Sequence, residues 1–74
     1  MNDSKQERFR RLAERRVNRA IKDLRLIGNL SNRNNYDYTT DQVAKILAAL
    51  KRELRELRAR FEDRTIPDEK RFQL

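Results

Sequence analysis

From residue 43 to residue 61 the apolar residues Val43, Leu47, Leu50, Leu54, Leu57 and Phe61 recur at 4-3-4-3-4 spacing. That is the a/d seam of an α-helix, a period no β-strand can present on one face. Its start is marked as sharply as its course. Thr39 and Gln42 stand at the two positions of a capping box, and Tyr38 and Val43 at those of a hydrophobic staple, so a helix is expected over about residues 40–62. An earlier stretch repeats the pattern. Ser4 and Glu7 form a second capping box, and Phe9, Ala13, Val17, Ala20, Leu24 and Ile27 follow 4-4-3-4-3 spacing. Gly28, the single glycine, is expected to close this helix in the left-handed conformation, which places its end at Leu26 or Ile27 and its span at about 4–27.

The class is therefore all-α. Each helix would be about 35 Å long at 1.5 Å per residue, and the matched lengths suggest a two-helix antiparallel hairpin, residues 1–63, with a loop over 28–39. Val17, Leu24, Leu47, Leu54 and Leu57 would lie at its centre. With 74 residues, of which 36% are hydrophobic and 42% charged, the core would be thin, and self-association is the usual remedy at this size. Dimerisation of two hairpins into a four-helix bundle is expected on that ground. Residues 64–74 form a polar tail containing Pro67. Either it is a mobile end, or it turns at Pro67 so that Phe72 covers one end of the hairpin.

Composition removes most chemistry. The chain has no cysteine and no histidine, so disulfides, thiolate nucleophiles, the commonest general base and the soft metal ligands are all missing. Ser4 and Ser31 have no evident activating partner, and one glycine cannot build a phosphate-cradling loop. Glu53 and Glu56 share a helix face at i,i+3, but flanking arginines make ion pairing the better reading than a metal site. No enzyme, cofactor or metal is expected. Neither a secretion signal nor a membrane-spanning run is visible, so a soluble, cytoplasmic protein without membrane contact is expected. On that expectation Asn2-Asp3-Ser4 and Asn29-Leu30-Ser31 go unused as glycosylation sequons.

Charge is distributed unevenly. The formal net charge is +7, and nearly all of it falls on the first helix. Residues 4–27 carry nine cations (Lys5, Arg8, Arg10, Arg11, Arg15, Arg16, Arg19, Lys22, Arg25) against Glu7, Glu14 and Asp23, a net of +6. Residues 40–63 carry six cations against five acids. At about 100° per residue, Arg8, Arg11, Arg15, Arg19 and Lys22 fall within one arc of about 80°, with Arg25 and Asn18 at its edge, opposite the apolar stripe. No acid lies inside the arc. Arg11, Arg15 and Arg19 repel one another at successive i,i+4 steps, an arrangement that an anionic partner would relieve. The second helix mixes signs instead: Arg52, Glu56 and Arg60 are spaced to pair. Arg10 and Arg16 lie nearer the seam, where their stems can cover apolar edges. Leu26 points toward the basic side and is expected to be packed by the returning loop.

The connecting stretch, LIGNLSNRNNYDYTTDQ over residues 26–42, is longer than most links between bundle helices. Asn29, Asn32, Asn34 and Asn35 suit successive Asx turns, and Leu30, Tyr36 and Tyr38 could fold the loop into a structural cap. Alternatively, Arg33 and Asn34 between tyrosines could read bases through amide hydrogen bonds and stacking.

The combination RVNRAIKDLRLIGNLSNRNNYDYTTDQV, chiefly its GNLSNR and YDYT segments, resembles a family of small basic helical bacterial proteins encoded near plasmid and phage functions. The resemblance covers about residues 12–61. It implies a bacterial, mobile-element setting and no particular activity. In outline alone, such a hairpin is similar to the plasmid RNA-binding protein Rop.

The reading that follows is a small nucleic-acid-binding accessory or regulatory protein that contacts phosphates through Arg8, Arg11, Arg15, Arg19, Lys22 and Arg25, with Arg33 and Asn34 as loop contacts. The alternative is a protein-interaction module that binds an acidic protein surface or a nucleic-acid enzyme, as inhibitor or accessory subunit. A third possibility is a structural bundle subunit whose charge only keeps it soluble.

Overall fold

The computed structural model describes residues 4–65, with side chains to residue 63. Among them the regular elements are helix α1 (Lys5–Gly28), a 3-10 turn (Asn29–Ser31) and helix α2 (Thr40–Thr65). The chain divides into two units, one ending at Asp37 and the next beginning at Tyr38. No described residue is in a strand, so the all-α expectation holds. The tail with Pro67 and Phe72 lies outside the described residues.

In the first unit, Ser4 takes an extended conformation (φ −68°, ψ 163°) and its Oγ accepts the Glu7 amide N–H at 3.0 Å. That hydrogen bond satisfies one of the four donors a helix start leaves without partners. The Arg8 amide then donates to the Ser4 carbonyl at 3.0 Å, and regular helix follows. Glu7 in the first turn and Arg25 in the last set charges of the favourable sign at the two ends of the helix dipole. α1 has 24 residues, beyond the roughly 12 to 15 at which isolated helices are marginal in water.

The expected left-handed stop at Gly28 does not occur. Gly28 has φ −60° and ψ −31°, and no described residue has a positive φ. α1 therefore runs one to two residues past the expected end and tightens into the 3-10 turn. The Asn29 amide donates to the Arg25 carbonyl and the Asn32 amide to the Asn29 carbonyl, the latter at 3.4 Å. The first bond satisfies a last-turn carbonyl that a left-handed glycine would otherwise have closed, and the second closes the 3-10 turn itself. The turn itself ends at Asn32, which swings to φ −72°, ψ 101°.

In the second unit both arms of the capping box form. The Gln42 amide donates to Thr39 Oγ1 at 3.0 Å, and the Thr39 amide donates to Gln42 Oε1 at 2.9 Å. The Val43 amide meets the Thr39 carbonyl at 3.2 Å. Tyr38 and Val43 are each half-buried, the burial expected of a staple at this spacing. α2 continues to Thr65, three residues beyond the expected end.

No described residue is buried. Along each helix taken by itself, the seam residues Val17, Leu24, Leu47, Leu54 and Leu57 are exposed, from Leu57 at 49% to Leu54 at 65%. The least exposed large apolar residues outside the half-buried group are Ile27 (38%), Ile21 (39%) and Ile46 (41%). Ile21 and Ile46 border the seams, so each apolar stripe is wider than an a/d line. Leu12 and Ala13 are half-buried on α1, and Leu50 on α2. Leu26, expected under the loop, is 55% exposed. Leu30 and Tyr36 remain about half exposed, so neither provides a full cover.

Two substitutions test the helix ends. A Cβ at Gly28 would meet nothing within 4 Å, and its backbone is already right-handed. Gly28→Ala should thus raise helical content and stabilise α1 by roughly 0.5 to 1 kcal/mol, read by circular dichroism on heating; a left-handed Gly28 would give the opposite sign. Thr39→Ala removes an acceptor from the capping box and should cost about 1 kcal/mol, with Thr39→Ser close to wild type.

Candidate nucleic-acid interface

The unbroken backbone of α1 is what assembles the cationic arc. Because Lys5–Gly28 is continuous helix, Arg8, Arg11, Arg15, Arg19 and Lys22 project from one side over about four turns, spanning roughly 21 Å along the axis. All five are exposed, as is Arg25 at the edge. Asp23, Glu14 and Glu7 are carried on α1 outside the arc, as its spacing requires. The local potential is therefore positive along a line, and guanidinium groups at one-turn intervals present planar donor forks suited to phosphate oxygens.

Two acids of α1, Glu7 and Glu14, line only an open surface depression, together with Arg10 and Arg11. It mixes signs, so it is a poor anion site, and it lacks the enclosing apolar walls a small-molecule site needs. Among the described residues no group of three or more carboxylate, histidine or cysteine side chains could hold a metal ion. Among them, too, no helix is long and apolar enough to cross a membrane.

Asn32 organises the connecting segment. Its Oδ1 accepts the Asn34 amide N–H at 3.0 Å, forming an Asx turn, while its carbonyl accepts both the Asn35 and Tyr36 amides, at 3.1 and 3.0 Å. Within residues 32–36, one side chain and one carbonyl thus accept three backbone amides. Arg33 and Asn34, the two loop candidates, occupy that turn and are exposed. The turn is ordered by its own hydrogen bonds. Of the four asparagines expected to form Asx turns, Asn32 accepts its i+2 amide through its side chain at 3.0 Å.

On α2 the charges behave as a solvated helix face. Asp41 and Lys45 pair at 3.7 Å, and Arg58 donates from Nε to Glu62 Oε1 at 2.7 Å. These pairs take the four-residue spacing expected of the face, through other residues than the anticipated Arg52, Glu56 and Arg60. Exposed pairs at this spacing differ by only a few tenths of a kcal/mol, so the choice among them is weakly determined.

Asn32→Ala should accelerate amide hydrogen exchange at Asn34, measured by NMR, more than at Asn35 or Tyr36, whose acceptor is the backbone carbonyl. Asn32→Asp, which keeps the acceptor, should restore protection at Asn34.

Comparison with known proteins finds no match to this chain among family models, curated proteins or solved structures.

Proposed function

We propose that this chain is a small nucleic-acid-binding protein, accessory or regulatory in role and not an enzyme, which holds phosphates along the arc Arg8, Arg11, Arg15, Arg19 and Lys22. The observation that carries the reading is the continuous helix Lys5–Gly28, which sets five cations on one face with no carboxylate between them. Accepting two successive i,i+4 arginine repulsions costs helix stability. A row of phosphates removes that cost and gains entropy from the counterions it releases. Arg25 extends the row by one turn, and Arg33 and Asn34 supply contacts from the ordered turn beyond it.

The reading does not depend on what covers the apolar stripes. The antiparallel hairpin suggested by the helix lengths, its dimeric four-helix bundle, and pairing between chains all leave the arc exposed, because it lies opposite the stripe on α1. A bacterial mobile-element setting and a cytoplasmic location fit the same role, since both supply accessible nucleic acid.

Binding to generic DNA or RNA should weaken with salt. Neutralising about four or five phosphates gives a slope of log affinity against log salt of roughly −3 to −4.5, depending on strandedness. Replacing Arg15 should reduce that slope by about one and weaken all sequences alike, because phosphate contacts position without specifying. Arg52→Ala and Arg60→Ala on α2 should have much smaller effects. Equal damage from both helices would mean diffuse attraction and would remove the stripe as the site. No binding near physiological salt, together with protein capture that survives nuclease treatment, would transfer the same arc to an acidic protein partner.

A further inference from the structure

The seam of α2 is a second exposed feature, and its bordering charges bear on what could cover it. Val43, Leu47, Leu50, Leu54, Leu57 and Phe61 fill three heptads without a break, and most of them stand about half exposed. With Leu47, Leu54 and Phe61 as a positions, the residues that border the seam are Ile46, Glu53 and Arg60 at g, and Ala44, Lys51 and Arg58 at e. These border positions decide partner and direction in a coiled coil.

In a parallel, in-register pair each g residue faces the e residue five positions on in the other chain. Glu53 then meets Arg58, twice by symmetry, and Ile46 lies along the Lys51 stem. No like-charged pair arises. Arg58 is already oriented by Glu62 through its Nε at 2.7 Å, which leaves the terminal guanidinium N–H groups to reach a second carboxylate. The antiparallel pair that matches all six seam residues places g against g and e against e. Glu53 then meets Glu53 and Lys51 meets Lys51, both at the middle of the seam. Like charges at those positions are the repulsive element that discriminates between partners.

We propose that α2 is a self-association helix whose seam is covered by α2 of a second copy of this chain, parallel and in register. The inference stands independently of the phosphate reading, since it rests on α2 alone. A pair of chains would carry two arginine arcs, so linked binding to one nucleic acid would be tighter than binding by a single chain.

The chain has no cysteine of its own, so an introduced thiol reports position cleanly. In a parallel register Leu50 faces its own counterpart. Full-length Leu50→Cys should therefore form a covalent dimer under mild oxidation. Wild type should sediment above its 9.0 kDa chain mass and toward twice that value as concentration rises. Glu53→Arg turns two attractive pairs into repulsive ones and should weaken association by about tenfold or more, with helicity unchanged by circular dichroism. Three results would each overturn the proposal. The first is a mass that stays at that of one chain up to the highest soluble concentration, as a seam covered within one chain would give. The second is cross-linking of Leu50→Cys only when mixed with Leu54→Cys, which would mark the antiparallel pair. The third is association indifferent to Glu53→Arg.

Discussion

The described structure depends on hydrogen bonding within the helix backbone, begun by bonds between a side chain and an amide three residues apart. Ser4 and Glu7 start one helix, Thr39 and Gln42 the other. No described residue is buried, so each helix, taken by itself, is held by its own backbone and caps. Nucleation is the costly step of helix formation, and a cap lowers it at a defined residue. The long uninterrupted runs that follow spread that cost over 24 and 26 residues. Both the positive arc and the apolar seams are consequences, because each exists only while the period of 3.6 residues is maintained.

The two helices use that period differently. α1 separates charge from apolar surface and gathers one sign of charge into the arc. Its helix tolerates the resulting repulsion because favourable end charges, the cap and high-propensity residues such as Leu, Ala, Lys and Arg oppose it. α2 disperses charge, pairs Asp41 with Lys45 and Arg58 with Glu62, and keeps an unbroken a/d line. The first pattern suits the proposed phosphate contact, the second the proposed helix pairing. Between them, the turn around Asn32 is held by its own hydrogen bonds and makes no demand on a hydrophobic cover.

The caps, the stripe, the seam and the arc were legible in the sequence because each is a short-range pattern: a side chain and an amide three residues apart, or positions repeating along one helix. The helix ends were less legible. Gly28 favours a left-handed stop on average, yet a right-handed glycine costs little when the next residues can close the carbonyls by 3-10 bonds, and sequence does not show which closure wins. The choice of Asn32 among four asparagines, and of Arg58 with Glu62 among several spaced pairs, likewise involves differences too small for residue type to settle.

By itself, then, the sequence determined two capped helices, the sign and face of their charge, and the period of their apolar residues, since these follow from backbone geometry and i to i+3 or i+4 neighbours. Only the three-dimensional structure decided that α1 passes through Gly28 into a 3-10 turn, that Asn32 Oδ1 holds the Asn34 amide in the connecting turn, and that Leu26 stands exposed within its own unit. Those outcomes turn on which backbone carbonyls find donors and how much water each side chain keeps. Both are properties of the whole local conformation, and residue order alone does not contain them.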